Sequence, residues 1–257
     1  MQINGIEVDA RYTEETVEEV FLPLLRSLTE LQREKGRRIL VLLAAPPGCG
    51  KTTLAAFLEE MSRSREGLGP VQAIGMDGFH RYQDFLLSHT ALVDGEEVQM
   101  VRIKGAPVTF DLEKLRAAVV RVAAGEACSW PVYDRMTHNP REDALLVDAQ
   151  IVLLEGNYLL LLEDGWRELA EYADYTISLT ADEALLRERL IKRKKKTCRD
   201  EEEAVRFVDF SDMRNVRLCQ ERSRMADLRL QISERGGRVH CAAARNSVKG
   251  EAAKHDL

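Results

Sequence analysis

The sequence has few of the residues on which several protein classes depend. Its five cysteines are scattered, odd in number and without C-x-x-C spacing, which argues against a disulfide framework and against a zinc site. No apolar run approaches the roughly 18 residues that a membrane-spanning helix needs. The start, MQINGIEVDA, has neither the basic nor the apolar region of a signal peptide. We therefore predict a reduced, soluble, cytoplasmic protein.

An excess of positive charge is also missing. The formal net charge is −6, which gives no global reason to expect a nucleic-acid partner. The length of 257 residues is sufficient for one large domain with a substantial core.

Short apolar segments alternate with helical patterns along most of the chain. The segments typical of strands are 39–44, 71–76, 150–155, 175–179 and 228–232. Helical periodicity occurs between them, at 51–63, 111–124, 164–172, 182–195 and 201–208. This alternation predicts an α/β fold with a doubly wound parallel sheet of about five strands.

Both ends of the chain extend this predicted core, which we place at 38–232. Residues 1–37 are predicted to form a short hairpin, with its turn at Asn4-Gly5, and an amphipathic helix over 13–34 packed on the core. Residues 233–257 are polar and rich in glycine and alanine, so we expect a partly disordered tail. A further edge strand at 239–241 is the alternative for part of it.

The stretch LLAAPPGCGKTTLAAFLEEM, residues 42–61, is typical of a phosphate-binding loop between a buried strand and a helix. Two inner glycines let successive N–H groups turn toward phosphate oxygens, and a small residue, Ala45, still fits where the pattern usually begins with glycine. An ordinary glycine-rich turn is the alternative. We predict that the loop binds ATP through Pro47, Gly48, Cys49, Gly50, Lys51, Thr52 and Thr53, with Lys51 on the terminal phosphates.

Acidic residues follow two further strands of the predicted sheet. Ligands bind such sheets at the carboxyl ends of the strands, so both side chains would lie beside the phosphate-binding loop. Asp77, in MDGFHRYQ, is predicted to accept the proton of an attacking hydroxyl, and a simple Asp-Gly turn is the alternative. Glu155 is surrounded by apolar residues, and a buried carboxylate needs a partner, so we predict that it holds Mg²⁺ together with Thr52.

Polar and aromatic residues concentrate in three stretches that would face the same edge. These are MDGFHRYQ (76–83), KGAPVTFDLEKL (104–115) and WPVYDRMTHNPRED (130–143). Such a concentration suits recognition of a small polar substrate, with a solvated loop or, for Asp111, a helix N-cap as the alternative. The predicted substrate-binding residues are His80, Arg81, Asp111, Tyr133, Arg135 and His138.

A basic helical segment followed by an acidic one occupies 182–208. Arg189, Arg193 and Lys196 share one helical face, and Arg187 lies away from it. A cationic helix closing over ATP would stabilise charge on the transferring phosphoryl group, so we predict a lid with Arg189 and Arg193 as catalytic candidates. A solvated helix face and a nucleic-acid patch are the alternatives.

Five motifs, in this order and spacing, resemble those of the uridine kinase, pantothenate kinase and phosphoribulokinase group of P-loop kinases. They are APPGCGKTT, MDGFHR, GAPVTFD, PVYDRMTH and LLEGNYLL. The resemblance covers roughly 38–232 and is nearest to bacterial nucleoside/nucleotide kinase-like members. It implies a P-loop kinase fold, Asp77 as the base, Asp111 at a ribose, and Tyr133 and His138 at a nucleobase. His80 and Arg135 stand where uridine kinases have tyrosine and phenylalanine.

These patterns together predict an ATP- and Mg²⁺-dependent phosphotransferase acting on a hydroxyl of a small polar metabolite. A nucleoside is the leading acceptor, and pantothenate-like or sugar acceptors are the alternatives. An NTP-hydrolysing regulatory switch is a rival of a different class. We expect neither a nucleic-acid nor a membrane partner, and the oligomeric state stays open, a homodimer included.

Overall fold

The computed structural model describes residues 2–3, 6–7, 12–196, 198–235 and 238–243. The strands are β1 (Gln2–Ile3), β2 (Ile6–Glu7), β3 (Ile39–Ala44), β4 (Val71–Gly75), β5 (Thr90–Val93), β6 (Glu96–Gln99), β7 (Cys128–Asp134), β8 (Asn139–Val147), β9 (Ile151–Gly156), β10 (Tyr175–Ala181), β11 (Leu228–Arg235) and β12 (Arg238–Ala243). The α-helices are α1 (Glu14–Thr16), α2 (Leu22–Lys35), α3 (Lys51–Ser64), α4 (Gln83–Ser88), α5 (Leu112–Ala123), α6 (Glu183–Lys194), α7 (Glu201–Phe207) and α8 (Met213–Arg222).

One sheet of six strands organises the molecule, in the order β12–β11–β10–β3–β9–β4. Neighbours from β11 to β4 pair in parallel, and β12 pairs antiparallel with β11. The α/β fold is therefore confirmed, and the predicted sheet of about five strands gains a sixth. The alternative edge strand within the predicted tail is confirmed as β12, whereas the expected disorder of the final residues falls outside the described part of the chain.

The central strand β3 is buried on both faces, as its continuous apolar sequence predicts. Val41 and Leu43 belong to the apolar cluster that includes α2 and α3. Leu40 and Leu42 belong to the cluster on the opposite face, formed with α5 and Trp130. Because side chains alternate along a strand, this one segment anchors both helical layers.

The N-terminal helix begins and ends close to the predicted bounds. The side chain of Thr13 caps it by accepting a hydrogen bond from Thr16 N at 3.2 Å, and Gly36, at a φ of 62°, ends it. Between α1 and α2 the chain passes through a π-helical turn at Val17–Phe21. Phe21 is buried in the core, so residues 12–35 are an integral part of the domain. β1 and β2 form the expected hairpin pair, and its turn at 4–5 lies outside the described residues.

Several elements differ from the sequence-based expectation. The segment 164–172, predicted as a helix, contains a short 3₁₀ helix at Arg167–Tyr172. A spacing of buried residues at i and i+3 fits a 3₁₀ helix as well as an α-helix, so the sequence does not distinguish the two. The hairpins β5–β6 and β7–β8 and the helix α8 were not predicted. In β7 a register shift at Pro131 interrupts the alternating pattern from which a strand is recognised in a sequence.

No helix within the described part of the chain combines the length and apolar character that crossing a membrane would require.

Candidate active site

The loop between β3 and α3 has the backbone conformation of a phosphate-binding loop. Gly48 and Gly50 have φ of 81° and 90°, in the left-handed region that glycine adopts without strain. Lys51 is the first residue of α3, so the N-terminus of the helix faces the loop. A Cβ on Gly48 would lie 3.0 Å from Leu190 Cγ of α6, which closes the loop on that side. The Cys49 thiol is fully buried, so only backbone atoms of this residue could serve a ligand.

Glu155 lies at the end of β9, next to the phosphate-binding loop, with its side chain buried. Its Oε1 accepts a hydrogen bond of 2.8 Å from the hydroxyl of Thr52. Burial raises the pKa of the Glu155 carboxyl to about 7, and Asp77 adds to this against the opposing charge of Lys51. The structure thus brings the predicted pair of Thr52 and Glu155 together. The positive charge around the Glu155 carboxyl group does not offset the effect of burial on its pKa.

Asp77 follows β4 in the short 3₁₀ helix Met76–Phe79, beside Glu155. Burial would raise the pKa of its carboxyl group, but His80, Lys51, Arg135 and Arg193 together hold that pKa below its usual value. Burial lowers the pKa of the His80 imidazole, and the negative charge of Asp77 opposes that effect. The positive charge around Asp77 therefore favours its ionised form.

The turn that carries Asp77 is fixed by close packing on two sides. A Cβ on Gly78 would lie 2.0 Å from the carbonyl oxygen of Pro131 in β7, and one on Gly156 would lie 2.3 Å from Met76 Sδ. Trp130 Nε1 donates a hydrogen bond of 2.9 Å to the carbonyl oxygen of Gly75. The hairpin β7–β8 thus packs directly against the strand end that presents Asp77.

A cavity of about 450 Å³ joins the phosphate-binding loop to the polar segments beyond it. Eight of the sequence-predicted residues line it together, namely Pro47, Lys51, Asp77, His80, Tyr133, Arg135, His138 and Arg193. One wall is aromatic, since the ring centroid of His80 lies 3.9 Å from that of Phe110 and 5.1 Å from that of Tyr133. His138 has a left-handed backbone with a φ of 56° in the β7–β8 turn.

Two predicted substrate residues lie elsewhere. Arg81 and Asp111 line a separate cavity of about 80 Å³, where the Arg81 guanidinium lies 3.8 Å from the Asp111 carboxylate. Asp111 also accepts a hydrogen bond of 3.2 Å from Lys114 N, which caps α5. The geometry therefore favours the N-cap alternative for Asp111, and neither residue reaches the main cavity.

The predicted lid arginines have different surroundings. Arg193 lines the main cavity and acts on Asp77. Arg189 instead donates to Glu234 Oε1 at 2.5 Å and to the carbonyl oxygen of Gly48 at 3.4 Å. Leu186 and Leu190 bury the apolar face of α6 in the core. Arg189 thus contacts the phosphate-binding loop and an acid of β11, and the catalytic role of either arginine stays a prediction.

Several cavity residues were missed by sequence reasoning. They are Gln83, Val101, Lys104, Gly105, Phe110, Asn157, Lys194, Phe207, Asp212 and Asn215. Asp212 and Asn215 come from the π-helical segment Val208–Asp212 and from α8, far along the chain from the motifs. Asn157 follows Glu155-Gly156 directly and could have been found by the same strand-end argument.

The oxygen ligands that the protein offers at the loop fit a magnesium ion better than a metal ion held by protein side chains alone. The described residues include no group of three or more His, Cys, Asp or Glu side chains arranged around a metal position. One carboxylate and one hydroxyl, Glu155 and Thr52, lie at the loop. Mg²⁺ commonly takes one or two protein oxygens and completes its shell with phosphate oxygens and water.

A family model described as "Phosphoribulokinase / Uridine kinase family" matches residues 40–232. The chain is 40% identical over 237 residues to "Uncharacterized protein YggC" of Escherichia coli (strain K12), covering 92% of this chain and 96% of that protein. It is 30% identical over 201 residues to "Putative uridine kinase C227.14" of Schizosaccharomyces pombe, covering 76% and 83%.

Among solved structures, a "putative fructose transport system kinase" from Silicibacter sp. TM1040 superposes with a TM-score of 0.69 at 30% sequence identity. That alignment covers 80% of this chain and 98% of the other. The phosphoribulokinase of Rhodobacter spheroides, at 17% identity and a TM-score of 0.51, shares the fold.

Proposed function

The chain belongs to the phosphoribulokinase and uridine kinase family of P-loop kinases, and we propose that it transfers the terminal phosphoryl group of ATP to a hydroxyl of a small polar metabolite. One observation carries the proposal. Positive charge on His80, Lys51, Arg135 and Arg193 favours the ionised form of Asp77, in a cavity that runs from the phosphate-binding loop to a polar and aromatic wall. A base beside the terminal phosphates, with space for an acceptor, is what hydroxyl phosphorylation requires.

The residues around the loop would share the work on the nucleotide. The backbone N–H groups at 48–52 and the Lys51 ammonium would bind the phosphates, and Arg193 would offset charge that develops during transfer. Thr52 and Glu155 would hold Mg²⁺, which when bound supplies positive charge to the phosphate oxygens. Burial favours the protonated form of Glu155. A bound cation would displace that proton and would gain a carboxylate ligand.

Asp77 would orient the acceptor hydroxyl and take its proton. Asp77 is the only carboxylate of the main cavity among the described residues that lies at a strand end, since Asp212 comes from a helix. An ionised carboxylate at this place can accept a hydrogen bond from the hydroxyl before transfer and the proton during it. The contact would also hold the oxygen in line with the terminal phosphoryl group.

The aromatic and positive side chains of the cavity walls indicate which classes of acceptor the cavity could bind. The rings of Phe110, Tyr133 and His80 offer faces on which a nucleobase could stack, which favours the nucleoside that the sequence suggests. The positive side chains on the same walls favour a pantothenate-like or sugar-derived acceptor with a negative charge. A cytoplasmic location, the absence of a nucleic-acid partner and a homodimeric state stay predictions from the sequence.

The test is an acceptor-dependence assay with the full chain. ADP formation from ATP and Mg²⁺ would be followed with uridine, cytidine, adenosine, pantothenate, fructose, ribose and their phosphates, with phosphorylated product identified by mass. We expect at least one acceptor to raise ADP formation by two orders of magnitude or more, in line with the roughly 10²–10⁴-fold of general-base help. ADP formation that no acceptor increases would argue against a kinase.

A further inference from the structure

Lys104 lines the main cavity, although the sequence analysis did not single it out. It follows the 3₁₀ helix Met100–Ile103. Its Nζ donates to Gln83 Oε1 at 2.8 Å and to the carbonyl oxygen of His138 at 2.9 Å. The same ammonium lies 5.0 Å from the centroid of the Tyr133 ring. The backbone of Gln83 is itself held in place, because its N–H donates a hydrogen bond of 2.7 Å to Asn139 Oδ1.

The counter-charge of this ammonium is missing among the described residues. Among the residues that the structure describes, no carboxylate forms an ion pair with Lys104. Burial lowers the pKa of its amino group to about 8, and no neighbouring acid opposes that effect. A partly buried cation without a counter-charge carries a desolvation cost. Such a cost is explained when an anionic ligand supplies the missing charge.

Two hydrogen bonds leave Lys104 one further N–H donor, beside the Tyr133 ring, that a ligand could use. An ammonium group has three N–H bonds, and two of them are used on neutral oxygens of Gln83 and His138. A purely structural link between two neutral oxygens does not need a charge, since an amide or hydroxyl could donate at the same place. Lys104 also lines the main cavity directly.

A second positive side chain adds to the same region. Arg135 lies in the β7–β8 turn three residues before His138, whose carbonyl oxygen holds Lys104. It lines the main cavity, and no described carboxylate forms an ion pair with it. Its charge also reaches Asp77 and Tyr133. Arg135 therefore raises the positive potential of the acceptor side of the cavity.

The main cavity also carries buried polar groups suited to hydroxyls. Asn157 is 9% exposed, and its Oδ1 is buried without a hydrogen-bond partner. Asp212 and Asn215 are also buried and line the cavity, and Asn215 Nδ2 lies 3.9 Å from the position of a Cβ on Gly105. A buried acceptor oxygen without a donor costs stability until a ligand supplies one.

We infer that the acceptor is a polyhydroxylated anion, a sugar acid or a sugar phosphate, whose negative group binds Lys104 and whose hydroxyls meet Asn157 and Asp212. The inference rests on the proposed function, because it names the substrate class of the same site. Lys104 selects the acceptor through charge, with Arg135 as a second cation, and a neutral nucleoside leaves Lys104 without a counter-charge.

The test compares matched acceptor pairs that differ in one negative group. The pairs are ribose and ribose 5-phosphate, fructose and fructose 6-phosphate, glucose and gluconate, and panthenol and pantothenate. With the wild-type chain we expect kcat/KM for the preferred anion to exceed that of its neutral partner by about tenfold or more, as charged hydrogen bonds allow. The pair with the largest ratio distinguishes a phosphate from a carboxylate.

Substitutions then assign the selectivity to Lys104. Lys104→Met keeps the length of the side chain and should lower kcat/KM for the anionic acceptor by about 10- to 100-fold. The KM for ATP should change by less than about threefold, and the ratio of kcat/KM between the anionic and the neutral partner should fall toward one. Lys35→Met is the matched control, because Lys35 is exposed and pairs with Asp174 away from the cavity. Lys104→Gln serves where the Met variant does not fold.

Two results would overturn the inference. One is a neutral acceptor that is used as well as its anionic partner. The other is a Lys104→Met variant that loses activity on both members of a pair equally, which a structural role would produce.

Failure of the proposed function has a different signature. If no acceptor is phosphorylated, calorimetry with ribose 5-phosphate and gluconate, at saturating Mg²⁺ and a non-hydrolysable ATP analogue, still tests the anion site. Binding that Lys104→Met weakens at least tenfold would support the site while the kinase proposal fails. Equal binding to both proteins, or to neither, would remove the site.

Discussion

Two carboxyl groups, Asp77 and Glu155, follow neighbouring strands at one edge of the sheet and have pKa values shifted in opposite directions. Cations hold the pKa of Asp77 low, while burial raises that of Glu155 to about 7. Groups whose environments separate their pKa values in this way commonly divide roles within an active site. The division supports Asp77 as the base toward the acceptor and Glu155 as the residue on the side of the metal.

Asp77→Asn tests the first role. The amide keeps the hydrogen-bonding shape but cannot take a proton, so kcat should fall by about two orders of magnitude or more while ATP affinity stays similar. Steady-state kinetics with the best acceptor and nucleotide binding by calorimetry measure the two effects separately. A collapse of ATP affinity with kcat preserved would instead assign Asp77 to the metal or the loop.

Glu155→Gln tests the second role. The amide preserves the shape of the side chain and can still accept the hydrogen bond from Thr52. Its lost charge should shift the Mg²⁺ titration of activity to about tenfold or more higher concentration, because Mg²⁺ prefers carboxylate oxygens. Circular dichroism should show an unchanged fold. The same Mg²⁺ titration in variant and wild type would make Glu155 a structural carboxylate.

Packing between elements sets the position of the catalytic turn. The 3₁₀ helix Met76–Phe79 lies against β7 so closely that Gly78 has no room for a side chain. The β7–β8 hairpin carries Tyr133 on this side and places Arg135 and His138 in its turn. The strand end with Asp77 and the acceptor wall are thereby fixed relative to each other.

Gly78→Ala should disturb both the turn that carries Asp77 and the acceptor wall formed by the β7–β8 hairpin. Its Cβ would approach the Pro131 carbonyl oxygen at 2.0 Å, so backbone must shift, at a cost of about 1–3 kcal/mol by analogy with overpacked cores. We expect a lower melting temperature and a kcat/KM for the acceptor reduced at least tenfold.

Gly36→Ala is the control for this substitution. Gly36 has free space around it and a φ of 62°, so alanine there strains only the end of α2. It should lower stability without changing activity per folded molecule. Unchanged acceptor kinetics in Gly78→Ala would show that the contact with β7 does not position Asp77.

Elements with a local signature could be predicted from the sequence. The β3 strand, the phosphate-binding loop and α3 follow from an apolar run, two glycines and a helical stripe. The β7–β8 hairpin could not, because Pro131 and Pro140 interrupt its pattern and the pairing depends on distant packing. The same holds for Arg189, whose partner Glu234 belongs to β11 and is 45 residues away in sequence.

At the scale of the whole molecule, one edge of the sheet collects residues from segments that are far apart in the chain. Lys51, Asp77, Lys104, Arg135, Asn157 and Asp212 meet in a single cavity. Strand-end reasoning located Asp77 and Glu155, since parallel strands place their carboxyl ends together. Lys104 begins a stretch that the sequence pointed to, but nothing in its pattern singled the lysine out, and the segment of Asp212 carries no strand-end signal. The substrate side of the cavity was therefore predicted only in part, through His80, Tyr133, Arg135 and His138.

The central claim is that this chain transfers phosphate to an acceptor and not to water. The direct measurement follows γ-³²P-labelled ATP with wild-type protein and with Lys51→Ala, in the presence of the acceptor panel. The account predicts label in a phosphorylated acceptor for wild type and loss of that product in a folded Lys51→Ala variant, because no other group of the loop reaches the terminal phosphates. Label released only as inorganic phosphate, whichever acceptor is present, would contradict the kinase and favour the hydrolytic switch.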